Sequence, residues 1–394
     1  MKGLLVKQAM RKKIPLFDLK LSSKAKKEVA AVLNEGWLTV GSRVAAFEKA
    51  VAKLLGVKHV ASVSSCTTGL HLALKTLGAS TGREVITTPF TFAATVEAII
   101  EAGARPVFAD IDPKTLNIDP DEVARKVSDQ TMAIMPVDIA GYPADYVQLN
   151  KICDAHSVAL LADAAHSIGA SYRKRSIPQL CDGAVFSFYS TKNLTCGEGG
   201  LVASRHKMLT DKVHLLARHG LSSSTLNRTN SGRWEYDAVT VGYKGNMSEL
   251  HAAIGLGQLA SFEKVQKART KLAQRYLKNL VGLEDYLEVP EIAGGYVHGW
   301  HLFIIKLHLS SLKIDRNKFI AAMSRKGIEC GVHYKPIFEL SCYRDLFGLS
   351  PQYFPNAAYA GQRVISLPLY PTLKSSDVDY ICETIHSLVR RHGR

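Results

Sequence analysis

Between residues 57 and 205 the sequence alternates short apolar runs with stretches of helical period, and this alternation narrows the folds open to the chain. The runs are His59–Val63, Glu84–Thr88, Pro106–Asp110, Met132–Val137, Val158–Asp163, Ala184–Phe188 and Leu201–Ser204. Most intervening segments carry apolar residues three and four apart, as at Leu70, Ala73, Leu74 and Leu77. A strand that is apolar along its whole length is buried on both faces, as a parallel strand covered by helices is. The gap between the last two runs is too short for a crossover helix, so Leu201–Ser204 is expected antiparallel to the run before it. The class is therefore α/β, with about seven mostly parallel strands.

At 394 residues the chain is too long for one small core and suits two unequal domains. Residues 1–260 are expected to form the large domain and 261–394 a smaller α+β one. Residues 247–280 read as a long helical stretch between them, with a break expected near Gly255 and Gly257. Beyond it Trp300–Leu309 reads as a strand, Arg316–Lys326 as a helix and Ser376–Arg390 as a closing helix. Loop 220–237, rich in Ser, Asn, Thr and Arg, is polar and expected to be mobile.

Composition excludes several classes. No run approaches the roughly 18 apolar residues that cross a bilayer. The basic start, residues 1–13, lacks the apolar stretch of a secretory signal. The seven cysteines are scattered without a Cys-x-x-Cys pair, so neither a disulfide framework nor a zinc site is expected, and a cytoplasmic location fits. Cys153 and His156 could share a helix face, but two ligands do not make a metal site. The net charge of +15 invites a nucleic-acid reading, yet it is concentrated at the ends. Residues 1–28 hold nine Lys/Arg against Asp18 and Glu28, and Arg390, Arg391 and Arg394 add three more charges. The body keeps a modest positive balance suited to an anionic small molecule. A DNA-binding regulator would need a helix-turn-helix ahead of the α/β region, and none is present.

Four features fall at the ends of the apolar runs, where open α/β sheets bind ligands. Lys192 sits in Phe186-Ser-Phe-Tyr-Ser-Thr-Lys192-Asn-Leu-Thr-Cys-Gly-Glu-Gly-Gly200, between a buried run and a glycine-rich turn. Partial desolvation there would lower its pKa and free a nucleophilic amine; a plain surface lysine is the alternative. Ser64-Ser-Cys-Thr-Thr-Gly opens a helix whose free N–H groups suit a phosphate, or are simply capped by Ser65 or Thr67. Asp163, followed by His166, ends a buried run and needs a cation or several donors. Phe92 could cover a flat ring or merely fill the core, and Ser187 lies five residues before Lys192. An amine, a buried acid, a phosphate cradle and a stacking aromatic together meet the needs of pyridoxal phosphate.

With these residues in place, the chain resembles the sugar aminotransferases of the DegT/DnrJ/EryC1/StrS family, of aspartate-aminotransferase fold type I. The resemblance runs from about Ile14 to Leu388 and includes Gly36–Gly41, Ser65–Leu70, Pro89–Phe92, Asp163–His166, Ser187–Gly200, Gly242–Leu250, His333–Pro336 and Leu367–Pro371. It implies a seven-stranded, mostly parallel sheet and a smaller C-terminal domain. It also implies that Lys192 forms the Schiff base and shuttles a proton, with pyridoxamine phosphate as the intermediate form of the cofactor. Asp163 would pair with the pyridine nitrogen, His166 would neighbour the phenolic oxygen, and Phe92 would stack on the ring. Thr67, Thr68 and Ser187 would bind the phosphate with Asn246 of a second subunit, which makes the enzyme a homodimer with shared active sites. Thr39, Arg218, His219, Arg233, Lys244 and His333 are implied as substrate contacts.

The implied reaction moves an amino group from L-glutamate to a keto group of a nucleotide-diphosphate sugar. The Lys244-x-Asn246 arrangement resembles members acting at C4. A keto-cyclitol or another keto substrate is the alternative acceptor. A dehydrating branch of the family carries histidine at the position of Lys192, so the lysine favours amino transfer. His166 stands where glutamine is frequent, Cys66 where a small residue is, Gly245 where an aromatic is, His251 where glutamine is, and Phe338 where a histidine near the sugar is common.

Overall fold

A computed structural model describes residues 13–222 and 235–394. The basic start through residue 12, most of loop 220–237 and the substrate contact expected at Arg233 lie outside the described residues. The chain forms β1 (His59–Val63), β2 (Glu84–Thr87), β3 (Arg105–Phe108), β4 (Thr131–Ile134) and β5 (Ala159–Asp163). A short hairpin of β6 (Ser171–Tyr172) and β7 (Arg175–Ser176) precedes β8 (Gly183–Ser187) and β9 (Gly200–Ser204). The seven-stranded sheet has the order β1-β9-β8-β5-β4-β2-β3. Its pairings are parallel except at β9, which runs antiparallel to both β1 and β8, as the short gap before it requires.

The apolar runs have the expected cause. Within β8, Phe186 joins a core cluster with Phe47 and Phe188, while Val185 joins another with Leu70 and Leu74. Successive side chains thus enter opposite faces, both covered by helices, which is why the run is apolar along its length.

Residues beyond 280 build a second sheet from β10 (Leu287–Glu288), β12 (Phe303–Leu307) and β13 (Val364–Leu367), while β11 (Tyr296–Val297) joins β6. This sheet packs with Tyr276, Ile381 and Ile385 in its own cluster. The helices Arg316–Arg325 and Ser375–His392 match the expected spans to within a few residues. Among the described residues no helix is long and apolar enough to cross a membrane.

One expectation is corrected. The stretch 247–280 is two helices, Glu249–Leu259 and Phe262–Asn279, interrupted at Ala260 and Ser261 and not at the glycines. Gly257 is a contact point: a Cβ there would lie 2.2 Å from Ala25 Cα, on the helix Ser23–Glu35 that crosses it. Ser22 fastens that crossing, its Oγ donating to Gly257 O at 2.9 Å and its N–H to Gln258 Oε1 at 2.8 Å. The glycine serves a close approach of two backbones, which a sequence scan cannot tell from a helix break.

Candidate active site

β1, β2, β5 and β8 point the same way, so their carboxyl ends share one edge of the sheet. A cavity of about 440 Å³ opens there, a size suited to a small-molecule ligand. It is lined by Cys66 and Thr67 after β1, Phe92 and Thr95 after β2, and Asp163 and His166 after β5. Ser187 and Lys192 follow from the end of β8, and His301, His333 and Tyr334 from beyond residue 280.

The helix Cys66–Thr76 starts at the cavity wall. Ser65 caps it by accepting from the Thr68 N–H at 3.1 Å, and the Thr68 hydroxyl lies 3.0 Å from Ser65 Oγ and 3.1 Å from Ser64 Oγ. Thr68 therefore braces the turn, whereas Thr67 faces the cavity. Of the two capping candidates Ser65 is the cap, and a helix start of this kind suits an anion. Gly200 opens β9 directly under the turn, where a Cβ would stand 2.4 Å from Ser65 C; no larger residue fits.

Asp163 is buried at the end of β5. Burial raises its pKa, opposed by a 2.8 Å hydrogen bond from Thr95 Oγ1, a 3.2 Å bond from the Ala165 N–H and the positive charge of Lys192. Lys192 is half-buried in the turn after β8. Desolvation lowers its pKa to about 8, against the attraction of Asp163. The two groups thus share one dry pocket, each limiting the other's shift. The Cys66 thiol is pushed upward by burial and by Asp163, so it stays protonated.

His166 is buried with its Nε2 3.0 Å from the Tyr334 hydroxyl and its Nδ1 without a partner. Its ring lies 4.4 Å from that of His301. Burial, then the charge of Lys192, holds both imidazoles well below the ordinary histidine range, so both are neutral. His333 turns its Nδ1 to Ser366 Oγ at 2.8 Å, and burial lowers its pKa to about 4. An unpartnered ring nitrogen, a buried acid, an amine of lowered pKa and an anion-ready helix start fit the groups of pyridoxal phosphate in one cavity.

Phe92 is 60% exposed and sits 5.9 Å from the Tyr334 ring at the cavity mouth, so it is not core. Thr39 is exposed and lies away from the cavity. Arg218 and Asn246 line a separate depression with Gly41 and Glu48. Lys244 donates to Asn246 Oδ1 at 2.7 Å, and His219 is exposed nearby in the chain. Phe338 is buried against Phe354 with parallel rings and does not reach the cavity. A Cβ at Gly245 would lie 2.7 Å from Thr68 Cγ2, which accounts for the small residue there. Thr95, Tyr334 and His301 were not singled out from the sequence. Tyr334 follows His333 in a recognised motif; Thr95 and His301 carry no local signal.

The profile described as the DegT/DnrJ/EryC1/StrS aminotransferase family matches residues 20–386. The chain is 39% identical over 370 residues to the spore coat polysaccharide biosynthesis protein SpsC of Bacillus subtilis, covering 92% of this chain and 94% of that one. Spr1654 of Streptococcus pneumoniae, assigned as a sugar aminotransferase, superposes in its pyridoxamine-phosphate form with a TM-score of 0.90 at 28% identity. That match covers 96% of this chain and 99% of Spr1654, which is also known in a pyridoxal-phosphate form. DesI, in a structure with its TDP-sugar product, superposes with a TM-score of 0.87 at 28% identity, covering 96% and 93% of the two chains. The chain belongs to the DegT/DnrJ/EryC1/StrS family and is a pyridoxal-phosphate-dependent aminotransferase of fold type I.

Proposed function

We propose that this enzyme moves an amino group from L-glutamate onto a keto carbon, at C4, of a nucleotide-diphosphate-linked sugar. The observation that carries the reading is the shared burial of Lys192 and Asp163 in one cavity at the strand ends. When bound, pyridoxal phosphate supplies the electron sink that lets an amino group leave one carbon and reach another. Lys192 would hold the cofactor, and its Nζ, with a pKa near 8, is well matched to carrying a proton in neutral solution. Asp163 would pair with the ring nitrogen, and Thr95 orients its carboxyl group and opposes the rise in its pKa. His166, neutral and fixed by Tyr334, would offer its unpartnered Nδ1 to the phenolic oxygen, and Phe92 would cover the ring. Thr67 and Ser187 would receive the phosphate, with Thr68 as the brace behind them.

The chain divides into a cofactor domain, residues 1–260, and a smaller domain, 261–394, that closes the cavity with His301, His333 and Tyr334. The enzyme acts as a homodimer in which Asn246, Lys244, Arg218 and His219 serve the partner's site. Their separation from this chain's own cavity supports that assignment. DesI, with its TDP-sugar product, supports the nucleotide-sugar class.

A panel of keto-sugar nucleotides and keto-cyclitols, each offered with L-glutamate and read by mass spectrometry, tests the substrate. Mass gain consistent with amination of a C4-keto nucleotide sugar is expected. Turnover of a keto-cyclitol alone overturns the acceptor assignment.

A further inference from the structure

The turn that bears Lys192 is closed at its base by its own backbone. The Phe188 N–H donates to Gly199 O at 2.8 Å and the Cys196 N–H to Phe188 O at 2.9 Å. Its tip is held from outside. Asn193, the residue after the lysine, is buried, and its Nδ2 donates to Gly299 O at 2.6 Å and to Gln266 Oε1 at 2.9 Å. Gln266 completes the triangle, its Nε2 donating to the same Gly299 O at 2.6 Å. Among the described residues, Asn193 supplies the only side-chain hydrogen bonds from residues 188–199 to any part of the chain beyond 260.

The far end of this triangle is itself fixed. Gly299 N–H donates to Gly141 O at 2.7 Å and His301 N–H to Ala140 O at 2.9 Å, on the loop after β4. Arg269, three residues along the helix from Gln266, sends Nη1 to the carbonyls of Trp300, His301 and Leu369 at 3.2, 3.1 and 2.9 Å. The crossover 299–301 is thus gripped from both sides, and it carries His301 into the cavity wall.

The geometry points to Asn193 and Gln266 as positioning residues: they form one clamp on Gly299 O that fixes the reach of Lys192 and registers it with the wall built around His301. A long flexible amine must be delivered within bonding distance of a carbon, and an error of an ångström costs heavily in rate. Asn193 and Gln266 bond to each other as well as to Gly299 O, so each holds the other in place and the clamp depends on both. Neither residue touches the reacting atoms. The inference rests on Lys192 being the cofactor-bearing amine, but the labelling readout that tests it needs no cofactor.

In the apoprotein, the pH dependence of acetylation of Lys192 by acetic anhydride, read by peptide mass spectrometry, reports how dry and how fixed the amine is. Wild type should label with a midpoint near the value of about 8 set by burial. Asn193→Ala should move that midpoint upward and lower kcat roughly tenfold to a hundredfold with KM changed far less. Gln266→Glu keeps the acceptor for Asn193 but loses the donor to Gly299, and should show the same changes to a smaller degree. The double variant Asn193→Ala/Gln266→Ala should be no worse than Asn193→Ala alone. An unshifted labelling midpoint in a folded Asn193→Ala protein, or additive losses in the double variant, would overturn the clamp. If instead wild-type protein takes up no pyridoxal phosphate, the cofactor reading fails and the labelling result still stands by itself.

Discussion

Thr95 Oγ1 donates to Asp163 Oδ2 at 2.8 Å, and Thr91 Oγ1 lies 2.7 Å behind it. A buried carboxylate would prefer to be protonated, and this hydroxyl pair opposes that preference at the atom assigned to the cofactor's ring nitrogen. The hydroxyl that limits this rise comes from the helix Ala93–Glu101, which follows β2, two strands away from β5 in the sheet.

Thr95→Val keeps the shape and removes the donor. The Asp163 pKa then rises further, so the carboxylate is protonated at higher pH than in wild type. Pyridoxal phosphate should bind about tenfold more weakly, in line with a lost hydrogen bond to a charged group. The deficit should grow as pH falls. A fluorescence or absorbance titration at several pH values checks this; equal affinity at every pH would remove Thr95 from the account.

Lys192 gives a stability signature with a definite sign. Its pKa falls from 10.5 when unfolded to about 8 when folded, so between these values the unfolded chain binds the extra proton. Stability of the apoprotein therefore rises with pH across that window, and below it the buried charge exerts its full cost. Lys192→Met should raise Tm at pH 7, with a difference that shrinks toward pH 10. Lys192→Ala should also lose the near-ultraviolet to visible absorbance of the holoenzyme. A Tm difference constant with pH would contradict the burial of the amine.

Shared active sites can be tested by mixing subunits. Lys192→Ala and Asn246→Ala homodimers should each be nearly inactive. After exchange between the two, every hybrid dimer holds one intact site and one doubly altered site, so about a quarter of all sites recover. Absence of any recovery after confirmed exchange would place Asn246 in its own subunit's chemistry or in none.

Gly257→Ala inserts a methyl group 2.2 Å from Ala25 Cα. The crossing of the helices Ser23–Glu35 and Glu249–Leu259 must then open, at a cost of about 1–3 kcal/mol. Chemical denaturation measures it. A neutral or stabilising result would mean that the glycine marks a flexible point in the helix after all.

The seven mostly parallel strands, the antiparallel placement of β9, and the placing of Lys192, Asp163, His166 and Ser187 at the strand ends were legible in the chain itself. The reason is local: two buried faces force continuous apolar runs, and ligand-bearing residues follow those runs directly. The crossing at Gly257, the bond from Thr95 to Asp163 across 68 residues and the contact of Tyr334 with His166 across 168 were decided only by the tertiary structure. Such pairs leave no period or spacing behind them, because a hydroxyl, an amide or a missing side chain gains its meaning from whatever distant backbone the folded core brings against it.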